Sequence, residues 1–412
     1  MRTIYNLSLR TYYLLIRIAS LWNRKASRWI EGRRNWRDDL KGRFRQTDRV
    51  IWFHCSSLGE FEQGRPIMEK VRKNYPGRKI LLTFFSPSGY DKRKNYPVAD
   101  HVCYLPRDSK VNARDFTELI PLERVFFIKY EFWYYFLKTL HQRSVPVYLT
   151  SGNFRSNQLF FKCYGGWYRK MLGFFTHLFV QNKTSVELLQ RVGISSSRIT
   201  VSGDTRFDRV VKIASQTEKW QALDMFAGDH FVIVAGSTWE KDEELLQRVY
   251  RELMGVCRWI IAPHEISRRH LDQLLARMEG KATMLSSIME GEPVKGDVVV
   301  VDTIGHLSSL YRYGNVAYIG GGFGKGIHNT LEAAAFGLPL FFGPRYHKFL
   351  EAEELVELGA AYPVLKPREM LEKIRAFMDQ EALYTRTAKE AGDYVARGAG
   401  ATDRILRQVF NG

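Results

Sequence analysis

From residue 50 onward, short apolar runs alternate with helical stretches, and this alternation limits the possible fold more than any other feature of the chain. A first series covers 50–55, 79–85, 101–105, 124–129, 145–150, 177–181 and 199–201, and a second covers 230–236, 257–262, 297–301, 316–319 and 338–342. Strands that alternate with helices favour a parallel sheet covered by helices. Because a polar helical stretch at 208–228 separates the series, we expect two doubly wound α/β domains that face each other across a cleft.

The length of 412 residues is sufficient for two domains of ordinary size. We place an N-terminal basic segment at 1–46, a first domain at 47–215 and a second domain at 216–412, whose last helix is expected to pack back on the first domain. The four cysteines are scattered without metal-ligand spacing. They indicate free buried thiols in a reducing compartment.

Positive charge is concentrated at the N-terminus. Residues 1–49 contain 13 Lys and Arg against 4 Asp and Glu, which is half of the net charge of +18. Apolar side chains such as Leu14 and Trp22 are interrupted by Arg10 and Arg17, so the segment is a poor transmembrane span. A basic amphipathic helix suits an anionic membrane surface, which is the favoured partner of residues 1–45. A docking helix with a solvated basic face is one alternative. A nucleic-acid-binding segment is another, although no recognisable motif for it is present.

Charged side chains follow the strands of the first series. The stretch VIWFHCSSLGEFEQGRP at 50–66 is a strand that ends in a small-residue turn and Glu60. Glu60 either favours the positive end of the next helix or is a catalytic base at the carboxyl end of a strand, where open α/β sheets bind their ligands. Glu131 follows the strand at 124–129. Arg206 follows a short strand and is placed to meet a phosphate or a carboxylate.

The second series contains a glycine-rich stretch, YIGGGFGKGIHNTLEAAAFGLPLFFGP, at 318–344. Three consecutive glycines let a ligand approach the backbone closely. The helix that is expected to open at His328 would offer free N–H groups to an anion such as a phosphate. Glu332, one turn into that helix, can accept hydrogen bonds from ribose hydroxyls. A purely structural glycine turn is the alternative.

Two further strand-end turns belong to the second series. Ser237 and Thr238 can cap the helix that follows them, and Pro263 and His264 end another strand, although a lone histidine is more often structural than catalytic. The chain contains no DxD, HExxH, GxSxG or GKS/T motif. We therefore expect no bound metal and no cofactor.

Taken in order, these turns resemble the motifs of the 3-deoxy-D-manno-octulosonic acid (Kdo) transferases of lipid A biosynthesis. These are glycosyltransferases of the GT-B architecture, which has two Rossmann-like domains. The resemblance extends over roughly 50–365, and its specificity lies in the ordered set of motifs. Its main stretches are SLGE at 57–60 followed by Pro66, EFW at 131–133, SGDTRFD at 202–208, AGSTWE at 235–240 and GIHNTLE at 326–332.

The resemblance implies transfer of Kdo from CMP-Kdo to a lipid A precursor at the cytoplasmic face of the inner membrane. It implies that Glu60 is the general base and that Glu131 and Arg206 support the transition state. Together with the strand-end turns, it gives the following candidate contacts of the CMP-Kdo donor: Ser237, Thr238, Pro263, His264, Ile304, Gly305, His306, Gly321, Gly322, Gly326, Asn329, Thr330, Leu331 and Glu332.

The chain departs from the family pattern at the predicted donor site. The family sequence Pro-Arg-His is replaced by APH at 262–264. An arginine suited to neutralising the nucleotide phosphate is therefore absent. Its candidate substitutes are Arg268, Arg269, Lys325 and Arg345. Arg206 stands where the family has a lysine, which keeps the charge but changes the geometry.

The implied reaction is a single displacement that inverts the anomeric centre. The acceptor hydroxyl loses its proton to Glu60, and CMP departs from an oxocarbenium-like centre. CMP carries less charge than a nucleoside diphosphate, which makes a divalent metal less necessary. The nearest alternative is another GT-B nucleotide-sugar transferase of envelope lipid or cell-wall synthesis. A basic nucleic-acid-binding protein and a non-catalytic nucleotide-sugar binder are more distant ones.

Overall fold

A computed structural model of the protein describes residues 1–217, 219–279 and 281–411. The chain divides into two compact units, one formed by residues 1–208 together with the C-terminal residues from Gly400 onward, and one formed by residues 209–399. The sequence places this border at 215/216. Helix Thr205–Gln216 crosses the observed border, which therefore falls inside one continuous helix where no turn or linker in the sequence marks it.

The described part of the first unit contains a parallel sheet of seven strands in the order β3-β2-β1-β4-β5-β6-β7. The strands are β1 (Val50–Cys55), β2 (Lys79–Phe84), β3 (His101–Tyr104), β4 (Leu122–Ile128), β5 (Val147–Gly152), β6 (His177–Val180) and β7 (Ile199–Val201). β1 pairs with β2 on one side and with β4 on the other, so the strand order reverses there. Ligands of doubly wound sheets bind at the carboxyl ends of the strands beside such a point.

Helices cover both faces of this sheet, which explains why its strands read as nearly continuous apolar runs. Trp52 of β1 packs on one face, and Ile51 and Phe53 pack on the other. The helices are α1 (Arg2–Ala19), α2 (Arg24–Glu31), α3 (Trp36–Leu40), α4 (Leu58–Asn74), α5 (Pro87–Arg93), α6 (Lys110–Leu119), α7 (Tyr134–Gln142), α8 (Gly166–Gly173), α9 (Lys183–Arg191) and α10 (Thr205–Gln216).

The N-terminal helix α1 docks on the first unit through one side. The Tyr5 hydroxyl donates to Asp108 Oδ2 at 2.6 Å, and the Tyr13 hydroxyl accepts the Asp108 N–H at 3.1 Å. The other side exposes an apolar stripe, whose members are Ile4, Leu7, Leu14, Leu15 and Ile18. Leu7 is 64% exposed and Leu14 is 58% exposed. Among the described residues, no helix is both long enough and apolar enough to be a candidate membrane span.

The described part of the second unit also contains a seven-stranded parallel sheet, with the order β10-β11-β9-β8-β12-β13-β14. Its strands are β8 (Phe231–Thr238), β9 (Cys257–Pro263), β10 (Ala282–Met284), β11 (Val298–Val300), β12 (Val316–Ile319), β13 (Leu340–Phe342) and β14 (Ala361–Pro363). The strand order reverses at β8, which pairs with β9 and β12. The sequence did not predict β10 and β14, because both are edge strands of three residues with mixed polarity.

The helices of the second unit enclose one large apolar cluster with the sheet. They are α11 (Gln221–Ala227), α12 (Glu240–Leu253), α13 (Arg268–Arg277), α14 (Leu285–Met289), α15 (Leu307–Leu310), α16 (Leu331–Ala334), α17 (Leu350–Glu357), α18 (Pro367–Asp379) and α19 (Glu381–Gly398). The predicted pair of doubly wound α/β domains with a helical N-terminal segment is thereby confirmed.

The last helix, α20 (Ala401–Phe410), lies in the first unit. Ile405 and Val409 join the apolar cluster that contains Ile67 of α4, and the rings of Phe410 and Tyr75 stack with centroids 4.3 Å apart. α20 therefore covers the same sheet face as α4.

Candidate active site

Glu60 lies in the first turn of α4, directly after β1. The Ser57 hydroxyl caps this helix by accepting the Glu60 N–H at 3.5 Å, and Glu60 Oε2 in turn accepts the Ser56 N–H at 2.5 Å. The carboxylate thus does take part in the strand-to-helix turn, as the structural interpretation predicts. The same bond fixes it at the carboxyl end of β1, as the catalytic interpretation requires. The two interpretations are therefore compatible.

Glu131 lies at the carboxyl end of the neighbouring strand β4, where it is buried among polar partners. Its Oε2 accepts the Trp133 indole N–H at 2.6 Å and lies 3.1 Å from His54 Nε2. His54, on β1, is fully buried, and its Nδ1 lies 2.8 Å from Thr83 Oγ1. Sequence reasoning did not select His54 or Trp133. The available signal was a histidine inside the apolar run of β1.

Burial and the nearby Glu131 charge make Glu60 a weak acid. Removal from water is the larger cause, and repulsion from Glu131 adds to it. The Ser56 N–H and the Lys129 charge oppose these effects, and the net result raises the pKa of Glu60 to about 8. A carboxylate of this basicity accepts a proton far more readily than an ordinary glutamate does.

The backbone around these carboxylates is strained. Lys129, which follows β4, has φ 67°, and Ser151, the second-to-last residue of β5, has φ 56°. In the second unit, Ser237 at the end of β8 has φ 54°. Side chains other than glycine rarely adopt this left-handed region, and such strain collects at functional sites. Lys129 and Ser237 lie at strand ends next to the reversal points of their own sheets, and Ser151 lies near the end of β5, which pairs with β4.

Arg206 does not project freely from the first unit. Among its contacts is an ion pair with the buried Asp204, in which Nη2 and Nε lie 2.8 Å and 2.9 Å from Oδ2. Asp204 Oδ2 also accepts from the Gln181 side chain at 2.8 Å. Sequence reasoning did not select Asp204, whose carboxylate holds the Arg206 guanidinium in place.

The glycine-rich loop of the second unit follows β12. A Cβ atom on Gly320 would lie 2.1 Å from the Ser237 carbonyl oxygen, and one on Gly322 would lie 2.5 Å from the Gly343 nitrogen. These two glycines are therefore required by close approach of the backbone to itself, which agrees with the structural alternative. Gly321 has φ +94° and Gly326 has φ +133°, so both adopt conformations that favour glycine.

Asp242 in the first turn of α12 holds this loop in place. Its carboxylate accepts the Gly321 N–H at 2.8 Å, the Trp239 N–H at 2.9 Å and the Tyr318 hydroxyl at 2.8 Å. Sequence reasoning assigned the cap of α12 to Ser237 and Thr238. That assignment is wrong, because both belong to β8 and the buried Thr238 hydroxyl donates to Glu243 instead.

A cavity of about 590 Å³ in the second unit is lined by the glycine loop and by the start of α12. Lys325 and Trp239, which is 40% exposed, belong to its lining. The exposed His264 follows β9 and packs between two rings, with its centroid 4.5 Å from Trp239 and 4.5 Å from His328. His264 was predicted as a donor contact, whereas Trp239, His328 and Asp242 were not selected.

The helix that was expected to open at His328 begins at Leu331 and has a single turn. The Asn329 side-chain oxygen accepts the Leu331 N–H at 3.2 Å, which occupies one of the N–H groups that were predicted to meet an anion. Glu332 accepts from Ser308 at 2.6 Å and from Asn329 at 2.9 Å. Thr330 and Leu331 are buried, so their side chains support the loop and do not line its surface.

The remaining predicted contacts lie on neighbouring loops of the second unit. Ile304 is 85% exposed, Gly305 has φ +98°, and the His306 ring lies edge-on to Trp220 at 5.3 Å. Pro263 is buried as the last residue of β9. In residues 1–217, 219–279 and 281–411, no cluster of three or more His, Cys, Asp or Glu is arranged to hold a metal ion.

Comparison with known proteins identifies the relatives of this chain. The family described as "3-Deoxy-D-manno-octulosonic-acid transferase (kdotransferase)" matches residues 32–209, which include Glu60, Glu131 and Arg206. A 3-deoxy-D-manno-octulosonic acid transferase of Aquifex aeolicus is 28% identical over 333 residues, covering 79% of this chain and 85% of the relative. One of Rickettsia bellii is 25% identical over 394 residues, covering 92% and 91%. The resemblance that the motifs predict is confirmed.

Solved structures with the same fold include nucleotide-sugar epimerases. A UDP-GlcNAc 2-epimerase of Neisseria meningitidis has a TM-score of 0.61 at 13% identity, covering 88% of this chain and 100% of that one. A putative UDP-N-acetylglucosamine 2-epimerase of Listeria monocytogenes has a TM-score of 0.60 at 12% identity, covering 88% and 96%. This likeness concerns the fold alone, and it confirms the predicted GT-B architecture.

Proposed function

We propose that this chain, a homologue of the Kdo transferases and therefore a glycosyltransferase, moves Kdo from CMP-Kdo to a lipid A precursor. The observation that carries the proposal is Glu60. Its carboxylate is fixed at the carboxyl end of β1 by the Ser56 N–H, and burial with the Glu131 charge raises its pKa. It belongs to the residues that match the Kdo transferase family.

In the proposed reaction, ionised Glu60 takes the proton from an acceptor hydroxyl as that oxygen bonds to the anomeric carbon of Kdo. The bond between that carbon and the CMP phosphate breaks, and its electron pair leaves with CMP. Attack from the opposite side inverts the anomeric centre. General-base catalysis of this kind contributes about 10²–10⁴ in rate. Arg206, which Asp204 holds, supplies a fixed positive charge for the transition state.

The second unit is proposed to bind CMP-Kdo in the cavity beside the glycine loop. Of the four candidate substitutes, Lys325 lines this cavity, whereas the exposed Arg269 does not. Arg268 is paired with Asp272, and Arg345 donates to the Gly324 carbonyl at 2.6 Å. Lys325 is therefore the best-placed substitute for the missing family arginine. Lys325→Gln should raise the Kd of CMP-Kdo roughly tenfold or more, because it removes a charge-assisted bond to phosphate. The exposed Lys366→Gln is the matched control and should leave the Kd unchanged.

We further propose that the exposed stripe of α1 brings the enzyme to an anionic membrane surface, at the cytoplasmic face of the inner membrane. The stripe is apolar, and Arg10 and Arg17 on the same helix are exposed. The double variant Leu7→Glu/Leu14→Glu should lose co-sedimentation with anionic vesicles. Equal pelleting of this variant and the unaltered chain would contradict the proposal, and cell fractionation tests the location.

The deciding experiment is incubation of the full chain with CMP-Kdo and a tetra-acylated lipid A precursor, read by mass spectrometry. The expected result is a precursor that gains one or more Kdo residues, with release of CMP. A parallel reaction with UDP-GlcNAc should give no product. Transfer from the UDP-sugar in place of CMP-Kdo would support the alternative GT-B transferase and overturn the proposed function.

A further inference from the structure

A second cavity, of about 640 Å³, lies in the first unit between α1, the connection from α2 to α3 and the start of α6. Neither Glu60 nor Glu131 lines it. Its lining is rich in cationic side chains, which are Arg10, Arg33, Arg34, Arg37, Arg107 and Lys110. The carboxylate of Asp108 is also part of the lining, but it accepts from the Tyr5 hydroxyl and from the N–H groups of Tyr135 and Phe136. Positive charge therefore dominates the cavity.

Most of this charge is not neutralised within the protein. Arg37 pairs with Asp115 at 2.7 Å. In the part of the chain that the structure describes, Arg10, Arg34, Arg107 and Lys110 form no ion pair. Four unpaired cations around one cavity repel one another, and a bound anion would remove that cost.

Arg33 is a buried cation on the wall of this cavity, and its guanidinium lies 3.8 Å from the ring centroid of Trp29 and 4.8 Å from that of Tyr104. Its side chain is buried, with the residue 6% exposed, and donates to the carbonyl oxygens of Leu105, Trp29 and Phe85 at 2.7–2.9 Å. Within the described residues no carboxylate pairs with it, and burial lowers its pKa to about 9. The carbonyl oxygens and the rings offset part of the cost of burying this charge, and a nearby anion would offset more of it. The adjacent cavity is where a counter-ion would lie.

The start of α6 adds a third observation. Ser109 caps this ten-residue helix by accepting the Asn112 N–H at 3.2 Å, and its first turn contains no acid. The N-terminal end of a helix dipole is positive. Here Lys110 occupies the first turn and lines the cavity. The helix end therefore adds to the positive potential.

We propose that this cavity binds the phosphate group of a membrane lipid. A phosphate offers several acceptor oxygens to arginines and to a helix N-terminus. α1 supplies Asn6, Arg10 and Tyr13 to the cavity, and the same helix exposes the apolar stripe that suits acyl chains. A headgroup phosphate in the cavity and lipid chains along the stripe would thus use two sides of one helix. The inference does not depend on which sugar the enzyme transfers.

The test compares two triple variants of the full chain that remove equal charge. Arg34→Gln/Arg107→Gln/Lys110→Gln removes three of the four unpaired, exposed cations of the cavity and keeps Arg10 of α1. Lys73→Gln/Lys92→Gln/Lys94→Gln is the control at exposed positions outside the cavity. Binding to phosphatidylcholine vesicles that contain phosphatidic acid, phosphatidylglycerol or the lipid A precursor, at matched surface charge, is measured by flotation. Inorganic phosphate is titrated separately by calorimetry.

The cavity variant is expected to bind phosphate-bearing vesicles about tenfold more weakly than the control variant, and to lose the heat of phosphate binding. A preference for the lipid A precursor would identify the acceptor as the source of the phosphate, and equal binding of all three lipids would identify bulk phospholipid. The proposal would be overturned if the cavity variant and the control variant lost vesicle and phosphate binding equally, or if neither variant lost any. The Leu7→Glu/Leu14→Glu variant separates membrane binding by the α1 stripe from phosphate binding by the cavity. It should no longer bind vesicles but should still bind inorganic phosphate.

Discussion

The two units build different surfaces at the same place on the same kind of sheet. At the point where the strand order reverses, the first unit carries the carboxylates Glu60 and Glu131, with the Asp204–Arg206 pair at the end of β7. At the corresponding point, the second unit carries a glycine loop and a ring stack, with the buried Asp242 occupied by N–H and hydroxyl groups. Proton transfer needs an ionisable group with a shifted pKa, whereas ligand binding needs a backbone of fitted shape. The same kind of sheet supports proton transfer in one unit and ligand binding in the other, because the turns that follow its strands can differ in sequence.

Glu60→Gln removes the proposed proton acceptor of the first unit and should have the largest effect on the transfer rate. We expect the single-turnover rate of Kdo transfer to fall by about 10²–10⁴, because the amide cannot accept the proton. The Kd of CMP-Kdo should stay the same, since the second unit is proposed to bind the donor. The exposed Glu187→Gln in α9 is the control and should keep the full rate. Near-normal turnover of a folded Glu60→Gln enzyme would end the assignment.

Gly322→Ala should distort the glycine loop of the second unit. The new Cβ would lie 2.5 Å from the Gly343 nitrogen, so the backbone must shift, at a cost of about 1–3 kcal/mol in the free energy of unfolding. Donor affinity should fall with it. The control is Gly392→Ala in α19, where the Cβ would lie 3.6 Å from its nearest neighbour, and which should be neutral or stabilising. Denaturant unfolding measures both, and equal stabilities would contradict the required close approach.

Asp242→Ala should loosen the glycine loop without touching the first unit. It leaves the Gly321 and Trp239 N–H groups without an acceptor, which costs about 1–3 kcal/mol in the free energy of unfolding. Asp242→Asn keeps one acceptor oxygen for these N–H groups, so its free energy of unfolding should fall by less. If the two variants were equally stable, the carboxylate would not be what holds the loop.

Of these variants, Glu131→Gln should change the transfer rate least. Its expected effect is a shift in the pH dependence of that rate. Removing its negative charge lowers the pKa of Glu60, because repulsion from Glu131 is one of the causes that raise it. The pH range over which the transfer rate rises, as Glu60 loses its proton, should therefore move to lower pH. Burial is the larger cause, so the pKa stays above its ordinary value. An unmoved limb would show that the two carboxylates do not interact.

The sequence predicts most of the scaffold, because buried parallel strands leave long apolar runs and their ends carry small-residue turns. Glu60 and Glu131 could be selected for the same reason, since each directly follows such a run. The edge strands β10 and β14 could not, because three residues of mixed polarity carry no periodic signal.

Partners that depend on register between strands were missed. His54 meets Glu131 only because β1 lies beside β4, and the family motifs gave no reason to join Asp204 to Arg206. The start of α16 was misplaced because the Asn329 side chain replaces a helical bond at Leu331. The cationic cavity combines residues 6–37 with residues 107–112, a juxtaposition that only tertiary packing creates.

The pH dependence of kcat/KM for Kdo transfer tests the central role of Glu60 most directly. A base whose folded pKa is raised stays protonated, and therefore inactive, until the pH approaches that value. From about pH 6, kcat/KM should rise close to tenfold per pH unit and level off near pH 8, the value to which the pKa of Glu60 is raised. A kcat/KM that is constant from about pH 6 to about pH 9 would contradict Glu60 as the proton acceptor.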